Sequence, residues 1–511
     1  MLQVLLAPLI VVVLIGGCAA VPVPAPADRP HSHALAEPES TRLGRMLGAR
    51  APERNGRSGF SLIESGPEAL ALLRSFIALA EKTLDLQYYS WKADEAGRLL
   101  LSDLVDAAES GVRIRLLLDD MDTEWTDDDL ARLNAHPNFE VRIFNPFANR
   151  ENYVLDLLVD FQRVTHRMHN KLFVADNVAA ITGGRNIGDR YFSADSEANY
   201  RDLDILAAGP ITRELSRSFD DFWNSVWSVS VDRLEEGRES PADLGRLMER
   251  LRQSAAASAG SLPATGRDFE PAKEAATVFS RLIWSAGATV VADSPNKPRT
   301  ARSKLLDELA ARLDGNLKSH LLIETAYLIP GTKGVEALCG LVKDGIAVRA
   351  FTNSLASTDA ITAYSAYRKY RKPLLQCGVE IYEMRPNAAF VAEDWRWTEG
   401  TSSANLHSKA AVFDGRYVFV GSFNLDPRSV YLNTEIALLV DSRELAAATA
   451  RFIRDGMSLE NAYRLTLEDG EIVWRTREDG ALVRLTEEPG TSFWQQIVTG
   501  LISLLPVERQ L

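Results

Sequence analysis

The sequence repeats itself at a nearly constant offset, and this internal duplication constrains the fold more than any other feature. Gly111–Leu116 corresponds to Gly345–Ala350 at an offset of 234 residues, and Val141–Phe144 corresponds to Val379–Tyr382 at an offset of 238. A repeat of this length indicates two copies of one structural unit, each large enough for its own packed core. With 511 residues, 46% of them hydrophobic, the chain is long and apolar enough for two such units.

Helix and strand patterns alternate within each copy. In the first copy they predict a helix over Ala69–Lys82, a strand over Leu84–Tyr89, a helix over Gly97–Ser110 and a strand over Val112–Leu118. Such alternation predicts an α/β fold in which mixed sheets are flanked by helices. The predicted domain boundaries are a leader at 1–18, a flexible tether at 19–58, an N-terminal domain at 59–234, a linker at 235–275, and a C-terminal domain at 276–511 that ends in an amphipathic segment.

The N-terminus carries a targeting signal. An apolar run, Val4–Ile15, is followed by Gly16, Gly17 and Cys18 and then by a stretch rich in proline and alanine. Small residues before a lone cysteine resemble a bacterial lipobox, which predicts lipidation at Cys18 and a membrane-anchored lipoprotein of the bacterial cell envelope, facing the periplasm or the exterior. No Lys or Arg precedes the apolar run, so an uncleaved membrane anchor remains the alternative.

Charge and cysteine content exclude some classes of partner. The net charge of −13 gives the chain no general attraction to a polyanion, so we expect no nucleic-acid partner. Cys339 and Cys377 lie in apolar segments without a second Cys or His at metal-ligand spacing, so we predict buried small side chains and no metal site. Their pairing as a disulfide depends on distances that the sequence does not give.

One set of polar residues occurs twice with the same spacing. In both copies, His-x-Lys is followed after four residues by Asp and after six more by a Gly-rich loop that ends in Asn. The members are His169, Lys171, Asp176 and Asn186 in the first copy, and His407, Lys409, Asp414 and Asn424 in the second. Residues two apart in a strand project from the same face, so each His and Lys is expected to point into one cavity.

These residue types suit displacement at a phosphodiester. Cations and amide donors placed around the phosphoryl oxygens stabilise the charge that develops on them, which fits Lys171, Lys409, Asn186 and Asn424. One neutral imidazole attacks phosphorus while a second, protonated imidazole gives its proton to the departing alkoxide. Each ring also needs a carboxylate to orient it. Glu435 and Asp202 are the candidates, although Asp204 is equally well placed by sequence.

The paired motifs resemble the signatures of the phospholipase D superfamily, and the chain as a whole is similar to the bacterial cardiolipin synthases. Further segments share the likeness: Gln87–Trp91, Gly183–Asp189, Tyr364–Leu375 and Leu504–Pro506. The resemblance implies two duplicated phospholipase D-like α/β sandwich domains with one shared active site at their interface.

The resemblance also implies an activity. It implies phosphatidyl transfer without a cofactor or metal, with His169 as the nucleophile that becomes a phosphohistidine and His407 as the acid, although the duplication also allows the reverse assignment. The substrate would be a phospholipid at a membrane surface, the acceptor a small alcohol or a second phospholipid, and hydrolysis a side reaction. Asp176 and Asp414 would be structural.

Two other functions stay open on the sequence alone. A phosphodiesterase or nuclease of the same superfamily would use the same residues, and a non-catalytic lipid-binding lipoprotein would not need them. This chain also departs from the commonest cardiolipin synthases, because it has one short apolar segment where they carry two N-terminal transmembrane helices.

Overall fold

The computed structural model describes residues 31–50, 56–150, 152–234, 244–258, 260–266, 268–300, 303–313, 315–388, 403–491, 499 and 502. Cys18 and most of the predicted C-terminal amphipathic segment lie outside this part of the chain. The described helices are α1 (Arg42–Arg50), α2 (Gly66–Leu79), α3 (Glu95–Glu109), α4 (Asp127–Asn134), α5 (Tyr153–Val159), α6 (Phe161–Val164), α7 (Pro210–Trp223), α8 (Leu244–Ala257), α9 (Pro271–Ser280), α10 (Lys297–Thr300), α11 (Lys304–Leu313), α12 (Gly331–Lys343), α13 (Ile361–Gln376), α14 (Pro427–Tyr431) and α15 (Arg443–Gly456). Short 3-10 turns lie at Pro38–Ser40, Asp189–Tyr191 and Val231–Arg233.

The strands of the first half are β1 (Ser58–Ile63), β2 (Thr83–Trp91), β3 (Arg113–Thr123), β4 (Phe139–Phe144), β5 (Leu172–Ala175), β6 (Ala179–Gly183), β7 (Ala198–Arg201), β8 (Asp204–Ala208) and β9 (Ser228–Ser230). The remaining strands are β10 (Ile283–Ser285), β11 (Gly287–Ala292), β12 (His320–Thr325), β13 (Ala347–Asn353), β14 (Glu380–Met384), β15 (Ser403–Leu406), β16 (Lys409–Phe413), β17 (Tyr417–Gly421), β18 (Ile436–Asp441), β19 (Ala462–Glu468), β20 (Glu471–Glu478) and β21 (Ala481–Leu485). The four elements predicted for the first copy are all present, with ends shifted by a few residues.

The two large sheets share one strand order over eight strands, from β1 to β9 in the first and from β11 to β19 in the second, which confirms the duplication. The first runs β10-β1-β8-β6-β5-β2-β3-β4-β9, and the second runs β11-β18-β17-β16-β12-β13-β14-β19-β20-β21. In each sheet the three strands that alternate with helices are parallel and their neighbours are antiparallel, so both sheets are mixed. This is the α/β sandwich class that the sequence predicts.

The hydrophobic core lies in three layers. One layer packs the first sheet against α2, α3, α8 and α9, and another packs the second sheet against α12 and α13. The middle layer joins the inner faces of both sheets with α7 and α15. Strand periodicity produces this division, since Leu116 faces the first layer and its neighbour Leu117 faces the middle one. The two halves therefore meet through a shared apolar core, close to the strands that follow the two histidines.

The two motif aspartates close equivalent turns. Asp176 accepts hydrogen bonds from the backbone N–H groups of Glu81, Lys82 and Thr83, and Asp414 accepts them from Lys318, Ser319 and His320. Both aspartates have a left-handed backbone, with φ of 50° and 51°. Each carboxylate thus ties its turn to the start of the neighbouring central strand, which is the structural role that the resemblance implies.

The predicted domain boundaries stay a prediction. The structure adds that α9 and β10 pack on the first half: Phe279 stacks on Phe76 of α2 at 5.8 Å, and β10 pairs antiparallel with β1. The chain thus leaves the first sheet at Ser285 and enters the second at Gly287.

The interpretation of the two cysteines as buried small side chains is wrong. Cys339 on α12 and Cys377 at the end of α13 are partly exposed and form a disulfide. The two helices pack side by side on the second sheet, which brings residues separated by 38 positions to a Cα distance of 5.5 Å. Periodicity placed both residues on helices, but only the packing of the helices decides whether they meet.

Reduction of this disulfide should lower the free energy of unfolding by about 4 kcal/mol, because a bridge between residues 38 apart in sequence restricts the unfolded chain. Denaturant unfolding of oxidised protein, of reduced protein and of the Cys339→Ser variant measures the difference. The reduced protein and the variant should coincide. Equal stability of all three would show that the bond does not form in solution.

Candidate active site

Short backbone pairings between the halves set the position of both histidines. Met168 forms a parallel bridge with Thr434, and the His169 N–H donates to the Thr434 carbonyl at 2.9 Å. In the mirrored arrangement, β15 pairs parallel with β7, and the His407 N–H donates to the Arg201 carbonyl at 2.8 Å. Each histidine therefore follows a segment that is paired with the other half of the molecule.

His169 receives its orienting carboxylate from the second half. Its Nδ1 lies 3.0 Å from Oε2 of Glu435 and 3.1 Å from Oε1. Because an ionised carboxylate only accepts hydrogen bonds, Nδ1 carries the proton and Nε2 keeps a free lone pair. The Glu435 carboxylate is buried and also accepts from the hydroxyls of Ser422 and Ser429, which fix its orientation.

His407 receives its carboxylate from the first half. Its Nδ1 lies 2.7 Å from Oδ2 of Asp202, whereas Asp204 pairs with Arg185 at 2.8 Å. The sequence left open which of these two aspartates orients His407, and the structure places Asp202 beside the ring. A Cβ on Gly184 would lie 2.2 Å from Oδ1 of Asp202 and 3.0 Å from the His407 carbonyl, so only glycine lets the motif loop pass this close.

The lysines and asparagines of the motifs surround the two rings. Lys171 and Lys409 are buried, and each donates to the carbonyl of its own histidine, His169 or His407. Asn186 accepts from the Ser90 N–H at 3.2 Å and donates to the Tyr191 hydroxyl at 3.0 Å. Among the described residues, the buried side-chain oxygen of Asn424 has no hydrogen-bond partner, so it keeps capacity for a bound molecule.

The histidines do not lie within a regular strand, as the spacing argument assumed. They occupy the extended connections just before β5 and β16, between the pairings with the other half and the strands themselves. Each His and Lys still projects to the same side, because the connection stays extended. The structure brings all eight predicted residues together, four from each half.

Burial and charge set the protonation of the site. Burial, opposed by Glu435 and reinforced by Lys171, lowers the pKa of His169 to about 4, and burial also lowers the pKa of His407. For Glu435 and Asp202, burial favours the neutral acid, but the facing histidine and the neighbouring lysine together lower the pKa of each carboxyl. At neutral pH the unliganded site therefore holds two neutral imidazoles and two ionised carboxylates.

Burial, with a further contribution from Lys409, lowers the pKa of Lys171 to about 7. Burial likewise lowers the pKa of Lys409. The two ammonium groups repel each other, and the carboxylates of Glu435 and Asp202 offset the effects of burial and repulsion on the two pKa values only in part. A bound phosphodiester adds a negative charge, so binding favours the charged form of both lysines.

The rings and the asparagines open onto one cavity of about 670 Å³. His169, His407, Asn186 and Asn424 line it, together with four tyrosines and many charged side chains. That lining includes the acidic residues Asp94, Asp122, Glu124, Asp195, Asp359 and Asp426 and the basic residues Lys92, Arg190 and Arg428.

Aromatic residues that the sequence argument passed over hold the rings. Tyr89 lies edge-on to His169 with ring centres 5.1 Å apart, and Tyr191 lies edge-on to His407 at 5.3 Å. Tyr88, the neighbour of Tyr89 in β2, packs instead on Trp91 in the core. The sequence could have indicated that only one of these tyrosines faces the site. Side chains alternate along a strand, so Tyr88 and Tyr89 must face opposite sides of the sheet.

A buried ion pair behind Glu435 was also missed. The Glu435 N–H donates to Asp293 Oδ2 at 3.2 Å, and Lys297 donates to the same oxygen at 2.6 Å and to the Ser429 carbonyl at 2.7 Å. The pair holds the segment that supplies both Glu435 and its serine partner. No sequence signal identified it, because Asp293 lies 142 residues from Glu435.

The pH dependence of the site follows from these shifts. With a diester whose nitrophenolate leaving group needs no proton, kcat/KM should fall below about pH 4, where His169 is protonated, and above about pH 7, where Lys171 loses its charge. Lys171→Arg should move the alkaline fall of kcat/KM to higher pH, because a guanidinium stays charged. Lys92→Arg, at the cavity wall, is the control and should keep the alkaline fall in place. An unshifted alkaline fall in Lys171→Arg would contradict the assignment.

The described residues contain no helix long and apolar enough to cross a membrane. Within the same part of the chain, no group of three or more His, Cys, Asp and Glu side chains is arranged to hold a metal ion.

Fold and site together define a class of protein: a duplicated α/β sandwich whose halves contribute equally to one site with two histidines and two lysines. The family model described as cardiolipin synthase, PLD-like domain, matches residues 73–223 and 315–455. The chain is also 37% identical to cardiolipin synthase C of Escherichia coli over 91% of its own length and 99% of that protein. It belongs to the cardiolipin synthase family with phospholipase D-like domains.

Two further relatives extend the comparison. The chain is 24% identical to cardiolipin synthase A of Buchnera aphidicola over 78% of its own length and 70% of that protein. The crystal structure of phosphatidylserine synthase from Haemophilus influenzae superimposes with a TM-score of 0.54 at 14% identity, covering 91% of this chain and all of that one. At 14% identity, the likeness to the phosphatidylserine synthase structure shows a shared fold.

Proposed function

We propose that the chain is a phosphatidyl transferase that acts on phospholipid phosphodiesters through a covalent phosphohistidine intermediate. The observation that carries the proposal is the crossed pairing of His169 with Glu435 and of His407 with Asp202, with both rings facing one polar cavity. The family to which the chain belongs supports the phospholipid as substrate.

In the first step, Nε2 of His169 attacks phosphorus and the bond from phosphorus to the headgroup oxygen breaks. The departing alkoxide takes a proton from Nε2 of His407, whose imidazolium is stabilised by Asp202. In the second step the acceptor hydroxyl gives its proton to His407 and its oxygen attacks phosphorus, while the bond from phosphorus to His169 breaks. A second phospholipid with a hydroxylated headgroup, a small alcohol or water can be the acceptor, and the last of these gives hydrolysis.

The remaining site residues bind charge. Lys171 and Lys409 neutralise the phosphoryl oxygens, and Asn186 and Asn424 contribute amide groups at the same cavity. The charge of the bound diester also favours protonation of one imidazole, which the free site holds neutral. None of these steps uses a metal or a cofactor, and activity is expected to persist in excess chelator.

For the location, we propose a membrane-anchored lipoprotein of the bacterial cell envelope, lipidated at Cys18 and facing away from the cytoplasm. The disulfide between Cys339 and Cys377 supports this location independently, because such bonds persist in oxidising compartments. The acidic lining of the cavity argues against a nucleic-acid substrate, which would bring many negative charges to its mouth.

Product analysis tests the proposal. The full chain, purified in detergent and mixed with phosphatidylglycerol, is assayed with and without phosphatidylethanolamine or glycerol, and the lipids are identified by mass spectrometry. Cardiolipin from the parent and none from His169→Ala is the expected result. Phosphatidic acid alone would make the enzyme a hydrolase, and absence of any lipid turnover would overturn the proposal.

A further inference from the structure

The cavity suits a charged headgroup better than acyl chains, because nine of its lining residues are charged. Of the other described lining residues, only Ala360 and Ala363 are aliphatic, four are tyrosines, and the rest are amide-bearing, hydroxylated or imidazole side chains or glycine. A volume of about 670 Å³ accommodates a headgroup and its diester. The acyl chains of a membrane phospholipid must then remain in the bilayer, about 15 Å deep in each leaflet. The cavity mouth must therefore lie against the bilayer surface.

Exposed apolar side chains are concentrated near this mouth. Ten large hydrophobic residues are exposed in the described chain, and six of them fall within nine consecutive positions: Tyr153, Val154, Leu155, Leu158, Val159 and Phe161. Leu158 and Val159 are the most exposed of all ten, at 76% and 75%. A patch this apolar in a surface helix marks a surface that is covered in use.

The patch is held in place by the protein and is continuous with the cavity. Asp156, on the inner side of α5, is buried and accepts from the Asn149 N–H at 2.9 Å. Beyond α6, the Thr165 carbonyl accepts from Arg428 at 3.2 Å, and Arg428 lines the cavity. The α5–α6 segment thus leads into Thr165, which is bonded to the cavity lining, and then into the His169 motif.

Two more of the ten exposed hydrophobic residues lie on segments that border the cavity. Tyr431 lies between Arg428 and Asn433, which both line it, and Ile361 lies between the lining residues Ala360 and Thr362. Eight of the ten exposed side chains therefore belong to segments around the mouth. The other two, Val226 and Leu482, lie elsewhere.

We propose that the α5–α6 segment, Tyr153–Val164, inserts its apolar side chains into the surface of a phospholipid bilayer and so holds the cavity mouth against the headgroups. The proposal rests on the proposed function for the presence of a lipid substrate. A short apolar helix lying in the interfacial region, with its apolar face among the upper acyl carbons, is a known mode of membrane attachment. The anchored N-terminus would keep the chain near the membrane, and this segment would orient it.

A kinetic comparison tests the role of the segment. The double variant Leu158→Ser, Val159→Ser in the full chain should turn over bilayer phospholipid about tenfold more slowly than the parent, because two apolar anchors are lost. Its turnover of a short-chain, water-soluble diester should match that of the parent. Leu482→Ser, which alters a residue that is 63% exposed on β21, is the matched control and should change neither rate. Unchanged turnover on bilayers would overturn the proposal, and so would an equal loss on both substrates.

A measurement without turnover separates this proposal from the proposed function. Tryptophan introduced by Leu158→Trp should be quenched by phospholipids brominated on their acyl chains, relative to the parent, and tryptophan introduced by Leu482→Trp should not. The quenching should persist when His169→Ala is added. Quenching in a protein that turns over no lipid would refute the proposed function alone. Absence of quenching, or sedimentation showing that the Leu158 variants dissociate a dimer, would refute the bilayer contact.

Discussion

Loss of the His169 imidazole should abolish transfer from every diester, because the proposed mechanism forms its covalent intermediate on this ring. We expect His169→Ala to reduce kcat by about 10⁶-fold, the scale seen when a nucleophile is removed from other covalent catalysts. Rapid-quench trapping with a labelled diester measures the phosphoenzyme directly. The parent should accumulate label in the peptide that contains residue 169, and the variant should accumulate none.

His407→Ala should behave differently from His169→Ala, because a general acid matters only when the leaving group needs a proton. With phospholipid, whose leaving alkoxide is strongly basic, a loss of about 10²–10⁴-fold is expected. With a nitrophenyl diester the burst of phenolate should persist, while transfer to an acceptor hydroxyl should slow. If His169→Ala keeps the burst and His407→Ala loses it, the two roles are reversed.

The second large effect is expected at Glu435, which acts as a positioning residue for His169. In Glu435→Gln the new amide can donate to Nδ1, which then accepts and leaves the proton on Nε2, the nitrogen that must attack. A comparable carboxylate-to-amide change in a serine protease triad costs about 10⁴-fold, and we expect a loss of about 10²–10⁴-fold here. The loss should appear in phosphoenzyme formation from the nitrophenyl diester as well as from phospholipid.

Two observations distinguish this effect from general damage to the fold. Nitrogen NMR of the imidazoles should show the His169 tautomer inverted in Glu435→Gln and unchanged in Asp204→Asn, whose carboxylate is buried but pairs with Arg185. Asp202→Asn should slow turnover of phospholipid and spare the nitrophenyl burst, since Asp202 faces His407. Equal losses in all three variants, with unchanged tautomers, would reduce Glu435 to a structural role.

The two halves are copies in fold but not in the surroundings of their histidines. Glu435 accepts from the hydroxyls of Ser422 and Ser429, whereas Asp202 lies against Gly184, which has no side chain to donate. Next to the rings, the side chain of Asn170 accepts a hydrogen bond from the Thr434 hydroxyl, whereas the Ser408 hydroxyl donates one to Glu324. In the proposed mechanism, such differences suit one imidazole to act as the nucleophile and the other to transfer protons.

Much of the fold could be predicted from the sequence, because the patterns that specify its helices and strands span only a few neighbouring residues. Alternating patterns placed α2, β2, α3 and β3, and the equal offset of His169 and His407 indicated a duplicated α/β fold with one shared site. The chemistry of the motif was equally local, since spacing along an extended segment decides which side chains can point the same way.

The sequence by itself thus determined the two-copy α/β architecture and the residue types of the site, since both follow from short-range periodicity and repetition. Only the tertiary structure decided that each histidine takes its carboxylate from the other half, that Asp202 and not Asp204 faces His407, and that Cys339 meets Cys377. Those contacts join residues up to 266 positions apart. They depend on how two sheets and their loops pack against each other, and no local pattern along one chain encodes that geometry.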